Sequence, residues 1–164
     1  MKIVVLSDTH GDGDIIPKVI AQHPDADAYF HCGDSELSYT DPRITACKRV
    51  RGNCDSDVNY PVEEIVDVKG KTVFMTHGHL FNVKSTLMPL AMRAREVGAN
   101  IVLFGHSHLL GAELDGDTLF VNPGSLRLPR GRKEKSYAII ETTADGYHVQ
   151  FLDDTHTVIV ETNL

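Results

Sequence analysis

The chain has 164 residues, of which 41% are hydrophobic and 24% are charged. These values are ordinary for a soluble globular protein, and they exclude a disordered, collagen-like or coiled-coil chain. The length fits one domain over residues 1–164 with a core that needs no disulfide. There are 16 basic and 23 acidic residues, and the formal charge of −7 argues against binding to duplex nucleic acid.

The cysteines and the apolar runs indicate the compartment. Cys32, Cys47 and Cys54 form no CxxC pair, so neither a disulfide scaffold nor a thiolate zinc site is expected. The first apolar run stops at Ser7-Asp8, too early for a signal peptide. No apolar run approaches the roughly 20 residues of a membrane span. We expect a cytoplasmic protein that makes no membrane contact.

Short apolar runs alternate with polar loops in the first third of the chain. Residues 2–6, 28–32 and 44–51 are predicted strands with little alternation, as expected when both faces of a sheet are covered. A short helix is expected from Ile15, where Pro17 is acceptable because it falls within the first turn. Each predicted strand ends in a loop that combines glycine with Asp, Asn or His.

A hairpin and a second helix follow. Residues 62–68 and 72–76 flank a glycine turn and predict two paired strands. Ser85 is the expected N-cap of a helix that runs to Val97, with Gly98 as its C-terminal stop.

The remaining pattern fixes the fold class. Residues 101–104 predict another strand, which ends in a histidine-rich loop. Asp115-Gly116 and Asp145-Gly146 mark hairpin turns, so the last third is expected to be antiparallel. We predict an α/β architecture with a mixed sheet, arranged as two stacked sheets flanked by helices.

Polar side chains follow five of the predicted strands, where open α/β sheets bind their ligands. These candidates carry carboxylate, amide or imidazole groups: Asp8, His10, Asp34, Asn53, His77, His79, His106 and His108. Such mixed nitrogen and oxygen donors suit divalent Mn, Fe, Zn, Ni or Co. Eight donors exceed the needs of one ion, so two ions that share a carboxylate are expected.

Two ions would suit phosphoryl chemistry. In an extended His106-Ser107-His108 segment, both imidazoles would project the same way and reach one cluster. Two ions about 3.5–4 Å apart stabilise both the attacking and the leaving oxygen of an in-line displacement. They would also supply the positive charge that an acidic chain lacks for binding a phosphoryl group.

Five strand-end motifs resemble, in order and spacing, those of the calcineurin-like metallophosphoesterases: Asp8-x-His10, Gly33-Asp34, Gly52-Asn53, His77-Gly78-His79 and Gly105-His106-x-His108. Within that superfamily the chain is similar to the small bacterial and archaeal phosphodiesterase group, as the Asn122-Pro123-Gly124-Ser125 segment also indicates. The resemblance covers essentially the whole chain. It implies a four-layer α-β-β-α sandwich, in which helices flank two mixed sheets.

The resemblance also implies a ligand set, a cofactor and a reaction. The first ion would be bound by Asp8, His10 and His108, the second by Asn53, His77 and His106, and Asp34 would bridge the two. The ions would be Mn²⁺ first, with Ni, Zn, Fe or Co as alternatives. Hydroxide bridging them would hydrolyse a small phosphoester, above all a phosphodiester. Relatives are often dimers or tetramers, which leaves a homo-oligomer open.

One position departs from the family pattern. Many members have histidine after the Gly-Asn pair, where it is thought to protonate the leaving group or contact the phosphate, but this chain has Cys54. A thiol with a pKa near 8.5 is a poor proton donor at pH 7. Loss of a general acid slows a reaction by about 10²–10⁴-fold. His79 is the alternative proton donor.

Substrate contacts are expected from two places. Asn53 is one candidate, and the other lies in a basic run: Arg127, Arg130, Arg132, Lys133 and Lys135. Either that run is a solvated face, or Arg127 or Arg130 folds over the site. A guanidinium group is well shaped to hold a phosphoryl oxygen.

Two other functions are alternatives to hydrolysis of a small ester. The chain also resembles the small subunit of retromer, which uses this fold as a scaffold for protein–protein interaction. Every ligand type is retained here, which argues against a purely structural role. The cysteine at position 54, in place of the usual histidine, keeps the scaffold function as an alternative. A nuclease acting on long nucleic acid is disfavoured by the net charge of −7 and by the scarcity of aromatic side chains for stacking.

Overall fold

A computed structural model describes all residues, 1–164. Eleven strands and two α-helices follow one another along the chain: β1 (Lys2–Leu6), α1 (Ile15–Gln22), β2 (Ala28–His31), β3 (Lys48–Arg49), β4 (Glu63–Val68), β5 (Lys71–Thr76), α2 (Met88–Val97), β6 (Ile101–Leu103), β7 (Gly111–Asp115), β8 (Thr118–Asn122), β9 (Tyr137–Thr142), β10 (Tyr147–Leu152) and β11 (Val158–Asn163). A single 3-10 turn, His79–Phe81, lies between β5 and α2. Neither helix is both long and apolar enough to span a bilayer.

The strands form two mixed sheets. One has six strands in the order β11-β10-β9-β1-β2-β3, and the other has five in the order β4-β5-β6-β8-β7. In the first sheet β1, β2 and β3 run parallel, whereas β9, β10 and β11 form an antiparallel meander. In the second sheet β5, β6 and β8 run parallel, with antiparallel strands at both edges.

The largest apolar cluster, of 17 buried residues, lies between the sheets. Val5 and Phe30 enter it from the six-stranded sheet, while Met75 and Leu103 enter it from the five-stranded sheet. This arrangement explains why the central strands read as unbroken apolar runs. Each strand buries one set of side chains between the sheets and the alternate set beneath a helix.

Each helix covers the outer face of one sheet. Val19 of α1 packs with Leu6 of β1 in a second cluster. Leu90 of α2 packs with Phe74 of β5 in a third. The order of layers is therefore α-β-β-α, which confirms the predicted four-layer sandwich with two mixed sheets.

The strand predicted at residues 44–51 was wrong in extent. Only Lys48–Arg49 pairs with a neighbour, namely β2. Before it, Ile44 and Cys47 close successive turns through main-chain hydrogen bonds of 3.1 and 2.9 Å. Both side chains are buried in the second cluster, so their apolar character serves a packed loop and not a strand.

The predicted start of the second helix was also wrong. The helix begins at Met88, its N-cap is Leu87, and no side chain caps it. The main-chain N–H of Ser85 instead donates to the carbonyl oxygen of Asn82 at 3.0 Å, within the preceding turn. Gly98 ends the helix with a φ of 67°, as predicted.

Candidate metal centre

The predicted donor residues lie in loops that follow β1, β2, β3, β5 and β6, and these loops meet at one edge of the sandwich. The first three strands belong to one sheet and the other two to the second, so the site spans both sheets. Main-chain hydrogen bonds join the loops. The N–H of Asp8 donates to the carbonyl oxygen of Gly33 at 3.0 Å, and that of Gly105 donates to His77 at 2.9 Å.

The Asp8 carboxylate lies at the middle of this edge. Its Oδ1 atom is 3.1 Å from Nε2 of His108, 3.6 Å from Nε2 of His10 and 3.8 Å from Nε2 of His77. This oxygen is buried and has no hydrogen-bond partner. A buried carboxylate oxygen is costly unless it is hydrogen-bonded, paired or bound to a metal. A divalent cation among these atoms would satisfy it, so the residues fit a metal.

A second group of donors surrounds Asp34. Its Oδ2 atom lies 3.2 Å from Nε2 of His77 and 3.9 Å from Nε2 of His10. The side-chain oxygen of Asn53 is 3.1 Å from the same His77 nitrogen. One oxygen of Asp34 therefore lies near imidazole nitrogens of both His77 and His10.

Hydrogen bonds fix which ring nitrogen of two histidines faces the site. Nδ1 of His77 donates to the carbonyl oxygen of Cys32 at 2.8 Å, and Nδ1 of His108 donates to that of Leu128 at 2.7 Å. Because a carbonyl oxygen only accepts, each ring carries a proton on Nδ1, and its Nε2 atom faces the site. Metal-binding histidines are held in this way.

Left-handed backbone conformations are concentrated among the donors. The φ angles are 54° at Asp8, 41° at His10, 55° at Asp34, 70° at His106 and 59° at His108. Such conformations cost residues other than glycine about 1–3 kcal/mol each. They persist only where the surrounding structure imposes them, and they cluster at functional sites.

The predicted extended His106-Ser107-His108 segment was wrong, because both histidines have left-handed backbones. The two rings consequently serve different parts of the site. That of His108 reaches Asp8, whereas that of His106 lies 5.1 Å from the His77 ring, centroid to centroid. Burial and the neighbouring His77 lower the pKa of His106 to about 4.

The two aspartates are ionised at neutral pH. Burial tends to raise the pKa of Asp8, but contacts with His10 and His108 outweigh it and hold that pKa well below its ordinary value. Burial is likewise outweighed at Asp34, whose pKa is lowered by His77. Negatively charged oxygens therefore face the Nε2 atoms of the histidines, and the ionised carboxylate is the form that binds a cation.

Comparison with known proteins agrees with this geometry. Residues 1–145 match the family model of the calcineurin-like phosphoesterase superfamily domain. The chain belongs to the calcineurin-like phosphoesterase superfamily. The family predicted from the strand-end motifs is thereby confirmed.

Individual relatives agree with the family assignment. This chain is 38% identical over 154 residues to the probable metallophosphoesterase YsnB of Bacillus subtilis. The matched residues cover 93% of this chain and 91% of YsnB. The chain is 35% identical over 100 residues to the phosphodiesterase YfcE of Escherichia coli K12, covering 56% of this chain and 50% of YfcE.

Solved structures share the fold. A predicted phosphoesterase from Streptococcus pneumoniae TIGR4 is 36% identical, with a TM-score of 0.96 over 99% of this chain and 96% of that chain. Vps29 of Entamoeba histolytica, solved in complex with zinc, is 19% identical, with a TM-score of 0.75 over 99% of this chain and 98% of that chain.

The two predicted proton donors of this phosphoesterase border the metal-binding group. The main-chain N–H of Cys54 donates to Oδ1 of Asp34 at 2.8 Å, and desolvation together with the Asp34 charge raises the pKa of its thiol to about 11. The ring of His79 lies 5.3 Å from that of His77. Burial and the His77 charge lower the pKa of His79. At neutral pH the thiol holds its proton tightly and the imidazole is largely unprotonated.

The structure does not bring the predicted arginines to the donors. The side chain of Arg127 is exposed and forms neither a hydrogen bond nor an ion pair, while its main-chain N–H donates to Oγ of Ser125 at 3.1 Å. Arg130 is also exposed, and its main-chain N–H donates to the carbonyl oxygen of His108 at 3.1 Å. Both follow Ser125 in the chain.

Asp55, which was not among the predicted site residues, is buried beneath the site. Its carboxylate accepts main-chain N–H groups from Asp34 at 2.8 Å, Gly52 at 2.7 Å and Glu36 at 2.8 Å. One side chain thus ties the loop after β2 to the loop after β3. The available signal was an acidic residue two positions beyond a predicted ligand.

Other missed residues position the ligands themselves. Oγ of Ser7 donates to Oδ2 of Asp8 at 2.5 Å, and Oγ of Ser125 donates to the Asp8 carbonyl oxygen at 2.8 Å. The Glu36 carboxylate lies 3.2 Å from Nδ1 of His10. A single serine or glutamate beside a ligand carries no periodicity or spacing that distinguishes it from a surface residue.

Proposed function

We propose that this phosphoesterase is a phosphodiesterase that hydrolyses small diesters with two divalent cations. The observation that carries the proposal is the buried, unpaired Oδ1 of Asp8, which faces imidazole nitrogens of three histidines. The superfamily is one of phosphoesterases, and the relative YfcE is a phosphodiesterase.

The chain would divide its ligands between the two ions. Asp8, His10 and His108 would hold one, Asn53, His77 and His106 would hold the other, and Asp34 would be shared. When bound, the ions supply positive charge to the phosphoryl oxygens and lower the pKa of water. We propose Mn²⁺ as the ion, because mixed imidazole and carboxylate donors accept it together with Ni, Zn, Fe and Co.

Other side chains would orient the ligands and the substrate. Ser7 and Ser125 hold Asp8, and Glu36 fixes the ring of His10. We assign Asn53 a second role as a hydrogen-bond donor to the substrate. Arg127 would move from its exposed position to hold a non-bridging phosphoryl oxygen, a contact that a guanidinium group makes with two parallel hydrogen bonds.

Neither candidate proton donor is well suited to protonating a leaving group at neutral pH. Cys54 stands at the position of the family's histidine, and a thiol with a pKa of about 11 is a poor proton donor at neutral pH. His79 is the alternative donor, and its lowered pKa leaves little of it protonated. The chain should therefore favour esters whose leaving groups need no proton.

Hydrolysis of bis(p-nitrophenyl) phosphate beside p-nitrophenyl phosphate tests the proposal, because neither leaving group needs a strong acid. Chelator-treated protein would be reloaded with Mn, Ni, Co, Zn or Mg. We expect metal-dependent turnover that prefers the diester and falls by about 10³-fold in Asp34→Asn, because a shared charge stabilises both ions. Asp154→Asn removes an exposed carboxylate and is the matched control. Near-normal turnover in Asp34→Asn with both ions bound would refute the two-ion mechanism.

A protein-binding scaffold is the second candidate function. Vps29 shares the fold, and the observation that favours this candidate is the poor proton donor at Cys54. Two bound ions per chain without turnover for any ester or ion would favour the scaffold over the enzyme.

A further inference from the structure

A pocket of about 380 Å³ opens beside the donor residues, on the side of Asn53. Its lining consists of Arg51, Gly52, Asn53, Asp55, Val62, His79 and Leu80. Asn53 and His79 belong both to this lining and to the surroundings of the metal centre. A substrate bound at the ions would thus reach directly into the pocket.

Arg51 is the cation of this pocket, and it has no acidic partner. Its Nε atom donates to the carbonyl oxygen of Asp55 at 3.2 Å, while its two terminal nitrogens form neither a hydrogen bond nor an ion pair. Its positive charge contributes to the lowered pKa of His79. Arg51 is half-buried, so water screens its charge less than at the open surface.

The other arginines of the chain are bonded through their terminal nitrogens, paired with a carboxylate or exposed. Arg43, Arg93, Arg95 and Arg132 pair with carboxylates within 4 Å. The terminal nitrogens of Arg49 donate to carbonyl oxygens, and Arg127 and Arg130 are exposed. In a chain with 23 acidic and 16 basic residues, a half-buried guanidinium group that pairs with none of the carboxylates is available for an anion from outside. Guanidinium groups bind carboxylate and phosphate with equal geometric ease.

The same pocket offers apolar surface and an unused polar atom. Val62 is 45% exposed and Leu80 is 62% exposed. Nδ1 of His79 is buried and has no hydrogen-bond partner. Ligand pockets combine apolar walls with a few polar groups that fix orientation. A ligand that fits this pocket therefore has a carbon body and an anionic end.

We propose that the pocket binds one ester substituent of the substrate, and that this substituent carries a second anionic group, carboxylate or phosphate, which pairs with Arg51. The proposal rests on the proposed function, because it places the scissile phosphoryl group at the metal centre. Arg51 would then determine specificity by contacting the substituent. Val62 and Leu80 would contact its carbon body.

Binding of non-hydrolysable phosphonates to the Mn²⁺-loaded protein tests this assignment by calorimetry. Phenylphosphonate carries only the group for the metal centre, whereas 4-phosphonobenzoate adds a carboxylate and 1,4-phenylenediphosphonate adds a second phosphonate. We expect one or both of the doubly anionic ligands to bind about tenfold more tightly than phenylphosphonate, the effect of one charge-assisted contact. The ligand that gains affinity identifies the anion. Equal affinity for all three ligands would overturn the proposal.

Variants of Arg51 test whether this residue causes the preference for doubly anionic phosphonates. In Arg51→Met we expect the tenfold preference to disappear while affinity for phenylphosphonate is kept. Arg51→Lys retains the charge and should keep part of the preference, so it serves if the methionine variant folds poorly. Arg95→Met removes an exposed guanidinium group and should leave the preference unchanged. An equal loss for all three ligands in Arg51→Met would place the arginine on the scissile phosphoryl group and overturn the assignment.

The same measurements separate this proposal from the proposed function. Arg51-dependent discrimination in a chain that hydrolyses no ester would support the pocket and refute the phosphodiesterase. Turnover of bis(p-nitrophenyl) phosphate without any discrimination among the phosphonates would do the reverse.

Discussion

At the metal-centre edge, Asp8, Asp34 and His108 have left-handed backbones with φ angles of 54°, 55° and 59°. In the C-terminal meander, by contrast, β9 and β10 pair without interruption over six residue pairs. Left-handed backbones and a carboxylate oxygen without a hydrogen-bond partner are concentrated in the first region, whereas β9 and β10 follow the ordinary rules of antiparallel pairing. The difference indicates that the meander stabilises a fold whose other edge is shaped for chemistry.

The two regions also differ in how much they contribute to the core between the sheets. Val149 and Phe151 of β10 lie within the cluster between the sheets. The donor residues belong to loops beyond the strands. Substitutions should therefore be able to remove metal binding without loss of stability, and stability without loss of metal binding.

Asp8→Asn should give the largest effect at the metal-centre edge. The change keeps the size of the side chain and removes the buried charge that faces three histidines, so we expect activity to fall by at least about 10³-fold. The rise in Tm that Mn²⁺ causes by binding the native state should also vanish. Thermal melts with and without Mn²⁺ measure this, and an unchanged rise in Tm would contradict the proposed ligand.

Phe151→Ala is the complementary change in the meander. Phe151 is 2% exposed, and removing a buried phenyl ring costs about 3–5 kcal/mol through lost burial and a residual cavity. Urea unfolding of the metal-free protein should show this loss, while the folded variant should still respond to Mn²⁺. Phe151→Leu, which fills most of the space, is the control. A variant that is destabilised and also fails to bind Mn²⁺ would show that the regions are coupled.

His31 sharpens the comparison, because it is the last residue of β2 and its ring bonds to two loops of the metal-centre edge. The ring is fully buried, its Nε2 donates to Oγ1 of Thr9 at 2.9 Å, and its Nδ1 accepts the N–H of Gly33 at 3.2 Å. Burial lowers its pKa from 6.5 to about 4. The unfolded chain therefore binds a proton more readily, and stability is lost as pH falls from 6.5 towards 4, by about 3 kcal/mol.

His31→Gln should remove that part of the acid sensitivity, because glutamine does not titrate. The free energy of unfolding of both metal-free proteins would be measured between pH 7 and pH 4. Parallel pH profiles for the wild type and the variant would contradict a neutral buried imidazole.

The smallest effect is expected in the turn between β7 and β8. Gly116 has a φ of 61°, and a Cβ atom there would meet no other atom within 4 Å. Gly116→Ala should therefore cost only about 1 kcal/mol of conformational strain, with unchanged activity. Gly116→Asn should cost less, because asparagine tolerates this conformation. Urea unfolding of the three proteins checks the order, and a loss several times larger would indicate packing that the turn does not show.

Apolar runs and turn residues were sufficient to predict the layers of the fold. Both faces of β1 are buried, which is why its sequence shows no alternation, and the Asp145-Gly146 turn does connect β9 to β10. The same signals failed at residues 44–51 and at Ser85, because apolar and capping residues there serve loops. Local sequence cannot distinguish these uses, since tertiary packing decides between them.

The candidate site was predictable in its residue types and less so in its geometry. The order of motifs indicated the donors, but the left-handed backbone of His106 depends on a distant contact, its N–H donating to Oδ2 of Asp8 at 3.1 Å. Asp55 carried only the weak signal of an acidic residue close to a predicted ligand, and Arg51 carried none. Their roles follow from where the loops after β2 and β3 meet, and that meeting point exists only in the folded chain.

His77 follows a strand of the five-stranded sheet, yet its ring bonds to Cys32 and faces Asp34, which both follow a strand of the six-stranded sheet. A cation held between Asp34 and His77 would therefore cross-link the two sheets. Separation of the sheets at this edge would require the cation to leave first. Local opening at this end of the protein could then be no faster than dissociation of the cation, whereas local opening at the opposite end would not depend on it.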